Sequence, residues 1–116
     1  MRLIVLAATA ALLAGPALAA DGAAIYNSQC KACHGAAGAG GPAGPALKGV
    51  AGRKVASAPG FAYSAGLKAK GGTWTDPSLD AFLTNPGGFA AGSKMFARVT
   101  QPGDRAAVIA YLKTLK

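Results

Sequence analysis

Apolar residues fall first in one run, Leu3 to Ala14, interrupted only by Thr9, and then in short stripes at helical spacing separated by stretches with no period. Ala23, Ile25, Tyr26 and the Gln29-Cys30 pair make a loose stripe. Asp21 stands where an N-cap belongs, which predicts a helix from about Gly22 to Ala32. Gly35 to Gly44 reads GAAGAGGPAG and is loop. Irregular chain continues to Pro59, anchored by Leu47, Val50 and Val55. A helical turn is expected from Tyr63 to Lys70, stopped by Gly71-Gly72. Asp76-Pro77 predicts a helix start, with Asp as the cap and Pro fitting the first turn. That helix puts Leu79, Phe82 and Leu83 on one face and ends at Asn85, before Pro86. Pro86 to Thr100 reads as loop. Pro102-Gly103-Asp104 opens the most regular helix, with Val108, Tyr111, Leu112 and Leu115 on its buried face. No strand pattern, repeat or linker is visible, so the fold class is all-α: one small domain with long loops.

The first apolar run differs in kind from the rest. Arg2 precedes it, and Gly15-Pro16-Ala17-Leu18-Ala19 follows with the small-residue pattern of a signal-peptide cleavage site. Its length of about 12 residues is short for a membrane span, which needs about 20. Residues 1–19 are therefore expected to be a secretory signal peptide cleaved after Ala19, with Ala20 the near alternative, and residues 20–116 the mature domain. The mature domain of about 97 residues is then expected to work outside the cytoplasm.

The full chain has 116 residues, 17 of them Gly and 7 Pro, with 12 Lys+Arg against 4 Asp+Glu for a net charge of +8. A domain this short buries a modest share of its surface, and loops over nearly half of it call for a disulfide set, a metal or a cofactor to fill the core. Two cysteines make at most one disulfide. A large apolar cofactor wrapped by the loops accounts for the composition. The basic residues are scattered rather than clustered on one helix, which argues against nucleic-acid binding; the positive charge instead favours acidic protein partners through electrostatic steering.

Cys30-Lys31-Ala32-Cys33-His34 is a C-x-x-C-H sequence, the attachment signature of c-type haem. Two thiols three residues apart reach the two vinyl groups on one porphyrin edge, and the following imidazole is carried under the iron. The other chemistries of this spacing fit less well. A thioredoxin-like pair needs a βαβ context, and a zinc site normally needs a fourth protein ligand. A Cys30–Cys33 disulfide would staple almost nothing. His34 is the only histidine and so the proximal iron ligand of a haem protein. With Met1 lost in the leader, Met95 is the only methionine left, lying in Gly92-Ser93-Lys94-Met95-Phe96 between two helices. Thioether ligation there raises the potential; Lys94 is the competing donor at high pH. With both axial positions filled no site is open for substrate, so the expected activity is electron transfer rather than catalysis.

These residues make the mature chain similar to class I cytochromes c of the bacterial cytochrome c2 and mitochondrial cytochrome c kind. Gly22-x-x-x-Tyr26-x-x-x-Cys30 resembles that family's N-terminal helix, and Arg105 to Lys116 the C-terminal helix it crosses. The resemblance implies one haem c, with its iron, bound covalently through Cys30 and Cys33. It further implies that the Pro45 carbonyl, in Gly44-Pro45-Ala46-Leu47, orients His34. By the same match Arg53, Tyr63 and Trp74 surround the haem propionates. The chain departs from the family at Phe82, where a Tyr is common, and at Leu67, where an Asn is common, which implies a drier pocket beside Met95. Phe89-Ala90-Ala91-Gly92 also lacks the usual Pro before Gly.

The expected function is that of a monomeric periplasmic monohaem electron carrier. It would shuttle single electrons between membrane or periplasmic redox proteins: a bc1 complex, cytochrome oxidase, reaction centre or dehydrogenase. Two alternatives stay open: a gas-binding sensor or enzyme component in which Met95 is labile, and a dedicated subunit of a larger oxidoreductase.

Overall fold

The structure, a computed structural model, describes residues 21–116. The helices are α1 (Gly22–Gln29), α2 (Lys31–His34), α3 (Ala65–Lys70), α4 (Asp76–Thr84), α5 (Pro86–Phe89) and α6 (Pro102–Leu112), with one 3₁₀ turn over Ala36–Gly38. Among the described residues there is no strand, only isolated bridges between Gly41 and Gly44 and between Lys54 and Thr73. The fold is all-α, as the periodicity predicts. The expected leader over residues 1–19 and its cleavage site lie outside the described residues.

The helix ends show where local chemistry overrode the simpler pattern. Asp21 caps α1, its carboxylate accepting from the N–H groups of Ala23 and Ala24 at 3.0 and 3.3 Å. The single helix expected to Ala32 instead breaks at Cys30, whose φ of −118° leaves the helical range. The Cys30 N–H still donates to the Tyr26 carbonyl at 2.8 Å, and the chain re-enters helix as α2. Thr75, not Asp76, caps α4. Its Oγ1 accepts from the Ser78 N–H while Ser78 Oγ accepts from the Thr75 N–H at 2.8 Å, a reciprocal box that leaves Asp76 as a favourable charge in the first turn. Asn85 closes α4 as expected, but its side chain then accepts from the Gly88 N–H at 3.1 Å and starts α5. That turn went unpredicted because Gly87 and Gly88 have little helical propensity of their own.

The crossing of α1 and α6 organises the core. A Cβ placed on Gly22 would lie 2.1 Å from the Ala107 carbonyl oxygen, so only glycine permits this approach. One turn later Tyr26 is fully buried, its ring 5.2 Å from that of Tyr111. The Tyr26 hydroxyl donates to the Gly35 carbonyl at 2.7 Å and accepts from the Gly38 N–H at 3.0 Å. Burial raises its pKa, partly offset by the Gly38 N–H, so the phenol stays protonated. Val108 and Leu112 are buried on α6 as predicted, Ile109 widens their stripe, and Leu115 is buried beyond the helix end.

Arg105 fastens α6 to α4 and to the loop between them. Its Nε donates to Asp80 Oδ1 at 2.7 Å, and Nη1 to the carbonyls of Val99 and Thr100 at 2.9 and 3.1 Å. The Arg105 side chain is 11% exposed and Asp80 49%, whereas Lys113 and Asp76, paired at 3.0 Å, are 51% and 58% exposed. Arg105→Ala is expected to cost about 1–3 kcal/mol, through carbonyls left without a donor as well as the lost ion pair. Lys113→Ala should cost less than about 1 kcal/mol, since water screens that pair. Urea titrations of both variants check this; equal losses would contradict it.

Candidate functional site

The C-x-x-C-H segment occupies the break and short helix between α1 and the glycine loop. The N–H groups of Cys33 and His34 both donate to the Cys30 carbonyl, at 3.2 and 3.0 Å, and this single turn carries both thiols and the imidazole. Cys30 is half-buried and Cys33 exposed; both are free thiols. Burial pushes the Cys30 thiol above its ordinary pKa, and the neighbouring Cys33 adds to the rise.

His34 Nδ1 lies 2.9 Å from the Pro45 carbonyl oxygen. A carbonyl only accepts, so Nδ1 carries the proton and Nε2 keeps its lone pair for a metal. Glycine makes the approach of the two segments possible. A Cβ on Gly44 would stand 2.9 Å from the Cys33 carbonyl oxygen and 3.0 Å from His34 Nδ1.

All these groups open on one cavity of about 340 Å³, within the roughly 300–1,000 Å³ usual for small-molecule sites. Cys30, Cys33, His34 and Pro45 line it from one part of the chain, Arg53, Tyr63 and Trp74 from the central loops, and Met95 from the loop before α6. All eight of these candidate site residues therefore border the same space. Leu67 and Phe82 add apolar wall where the resemblance would have polar groups. Phe82 instead packs with Trp74 and Phe89, at ring separations of 5.2 and 5.7 Å.

Arg53 is partly committed. Its Nη2 donates to the Ala46 carbonyl at 2.9 Å and Nη1 to that of Lys48 at 3.2 Å, while the buried Nε has no partner. Buried donors without acceptors are costly, so Nε fits a group that brings an acceptor into the cavity. The Tyr63 hydroxyl accepts from the Ala58 N–H at 3.0 Å and retains its own proton to give. Apolar walls, a free imidazole nitrogen, two thiols at the rim and an unpaired buried guanidinium nitrogen together suit a flat apolar macrocycle carrying a metal and anionic substituents. Among the described residues no cluster of three His, Cys, Asp or Glu side chains could hold a metal ion directly.

The Met95 loop is held more firmly than its missing proline suggests. The Met95 N–H donates to Ser93 Oγ, and the Ser93 hydroxyl lies 3.2 Å from the Met95 carbonyl. Lys94 Nζ donates to the Ala62 carbonyl at 2.6 Å, and the Val99 N–H to that of Leu83 at 2.9 Å. Gly66 of α3 abuts the same loop so closely that a Cβ would lie 2.0 Å from the Ala91 carbonyl oxygen. Sequence reasoning missed Ser93 and the Lys94–Ala62 tether. A serine two residues before the methionine was the one local signal; the tether joins segments 32 residues apart and left none.

The family model for cytochrome c matches residues 19–116. Cytochrome c2 iso-2 of Magnetospirillum fulvum is 46% identical over 87 residues, covering 74% of this chain and 91% of that protein. Cytochrome c of Tetrahymena pyriformis is 47% identical over 98 residues, covering 84% and 88%. Among solved structures, cytochrome cH from Methylobacterium extorquens superposes with a TM-score of 0.74 at 40% identity, covering 83% of this chain and 97% of that one.

Proposed function

This chain belongs to the cytochrome c family, whose members carry electrons on covalently bound haem c, and from that premise we propose that it is a periplasmic one-electron shuttle with His34 and Met95 as axial ligands. The observation that carries the reading is the single cavity onto which both thiols, the oriented imidazole and the only methionine of the mature chain all open. The haem, when bound, supplies a reversible one-electron change at iron. Cys30 and Cys33 fix its register in the chain. Pro45 holds the His34 ring in one tautomer and one orientation. Leu67 and Phe82 exclude water beside Met95, and a soft thioether with a dry surround favours the reduced state. Arg53 Nε and the Tyr63 hydroxyl make buried carboxylates tolerable at the opposite edge.

Two strong axial donors leave no place for substrate, which supports a carrier rather than an enzyme. The net charge favours acidic docking faces on the partner, whether a bc1 complex, oxidase, reaction centre or dehydrogenase. Export rests on the leader pattern of residues 1–19, and mass spectrometry of the purified protein should find an N-terminus at Ala20 or Asp21. No described helix is long and apolar enough to cross a membrane.

The visible spectrum of the purified protein tests the site. Low-spin spectra in both redox states, a weak far-red methionine–Fe(III) band and indifference to carbon monoxide are expected. A high-spin or carbon-monoxide-sensitive haem would overturn the Met95 assignment and favour a sensor or enzyme component.

A further inference from the structure

The turn that follows His34 is an unfavourable one. Gly35, Ala37 and Gly38 all have positive φ, at 79°, 51° and 71°, and Ala37 lacks the freedom of its glycine neighbours. The turn's own closing bond, from the Gly38 N–H to the Gly35 carbonyl, is long at 3.3 Å. Such a conformation persists only when its surroundings impose it.

The Tyr26 hydroxyl spans the ends of that turn, giving its proton to Gly35 O and taking the one from Gly38 N. What hangs from each end is informative. Gly35 directly follows His34. Gly38 O accepts from the N–H groups of Leu47 and Lys48, at 2.9 and 3.3 Å, and so holds the segment whose Pro45 carbonyl faces the His34 ring. The imidazole and its acceptor thus come from opposite ends of one strained turn. Backbone bonds help close it, from the Ala39 N–H to the Ala36 carbonyl at 3.1 Å and from the Gly40 N–H to the His34 carbonyl at 2.7 Å, and the buried Tyr26 hydroxyl is the side-chain group that bridges its two ends. A phenyl ring would serve the packing against Tyr111 equally well, so the α1–α6 crossing does not account for the hydroxyl.

We propose that Tyr26 is a positioning residue for the proximal ligand: its hydroxyl sets the span of the 35–38 turn and thereby the His34–Pro45 hydrogen bond, coupling the helix crossing to the imidazole. This rests on His34 being an iron ligand, as proposed above.

Tyr26→Phe keeps the ring and removes only the clamp; Tyr111→Phe, on the other member of the ring pair, is the control. Proton exchange at His34 Nδ1 is followed by NMR in the reduced haem-loaded proteins, beside their melting temperatures. Tyr26→Phe should speed that exchange roughly tenfold, the scale of one lost hydrogen bond, and speed the Gly38 amide with it. Tyr111→Phe should leave both at the wild-type rate. A Tyr26→Phe protein that melts earlier but keeps wild-type exchange at His34 would overturn the proposal, leaving the hydroxyl a stabilising group alone. If Tyr26→Phe yields no haem-loaded protein, wild-type exchange under increasing denaturant decides. One shared opening for His34 Nδ1–H and Gly38 N–H supports the clamp, and separate openings overturn it. A wild-type protein without low-spin haem would instead sink the electron-carrier reading, a failure visible before any variant is made.

Discussion

Gly22→Ala is expected to lower the melting temperature of the haem-loaded protein by about 5–20 °C. The new Cβ would meet the Ala107 carbonyl oxygen at 2.1 Å, a backbone atom with no rotamer to escape into. Relief requires α1 to move off α6 by an ångström or more. Such a shift would also pull Tyr26 from full burial and strain the two hydrogen bonds of its hydroxyl. Overpacking of this sort costs about 1–3 kcal/mol, and in a domain near 100 residues each kcal/mol moves the melting temperature by roughly 4–8 °C. Gly103→Ala supplies the contrast. It lies in the first turn of α6, where a Cβ meets nothing within 4 Å, so alanine's better helical propensity should stabilise by up to about 1 kcal/mol. Opposite signs for the same substitution on the two crossing helices are the expected outcome. A Gly22→Ala protein melting within a few degrees of wild type would mean the crossing is not this tight.

The local half of the site was legible because its chemistry is local. Cys30, Cys33 and His34 lie within five consecutive residues, and their spacing has few other uses in an all-α chain. Met95 is proposed by elimination, as the methionine left once Met1 goes with the expected leader. Pro45, Arg53, Tyr63 and Trp74 were legible only through likeness to a family, since nothing in their own neighbourhoods marks them as facing a common space. Arg53 shows why: its role turns on a buried Nε left without a partner while the Ala46 and Lys48 carbonyls take one N–H from each terminal nitrogen. Hydrophobic periodicity located the helices but missed their ends where polar groups decided. The break at Cys30, the Thr75–Ser78 box and the Asn85-capped turn of α5 are set by single hydrogen bonds, to which a pattern of apolar positions is blind. Contacts such as Gly66 against Ala91 or Lys94 to Ala62 depend on how distant loops fold over one another.

Met95→Ala should have the largest functional effect of any single change, because it removes the proposed ligand without dismantling the loop that carries it. Ser93 bonds to the Met95 backbone and not to its side chain, Lys94 reaches Ala62, and Val99 is anchored to Leu83, so each tie survives the truncation. The far-red band should vanish, and carbon monoxide should bind reduced protein that formerly ignored it. The midpoint potential should fall, since the thioether's preference for the reduced state is lost. A fall on the order of 0.1 V or more is expected, well inside the roughly 0.8 V that axial ligand identity commands. Far-ultraviolet circular dichroism should not change. The apolar wall of Leu67 and Phe82 offers no replacement donor, which leaves water or Lys94 to take the position. Water gives a high-spin ferric spectrum. A low-spin spectrum without the far-red band would mean that Lys94 has left the Ala62 carbonyl to bind iron, and Met95→Ala combined with Lys94→Ala should then turn high-spin. If the far-red band survives in Met95→Ala, the sixth ligand is not Met95, and the carrier reading loses the feature that closes its iron to substrate.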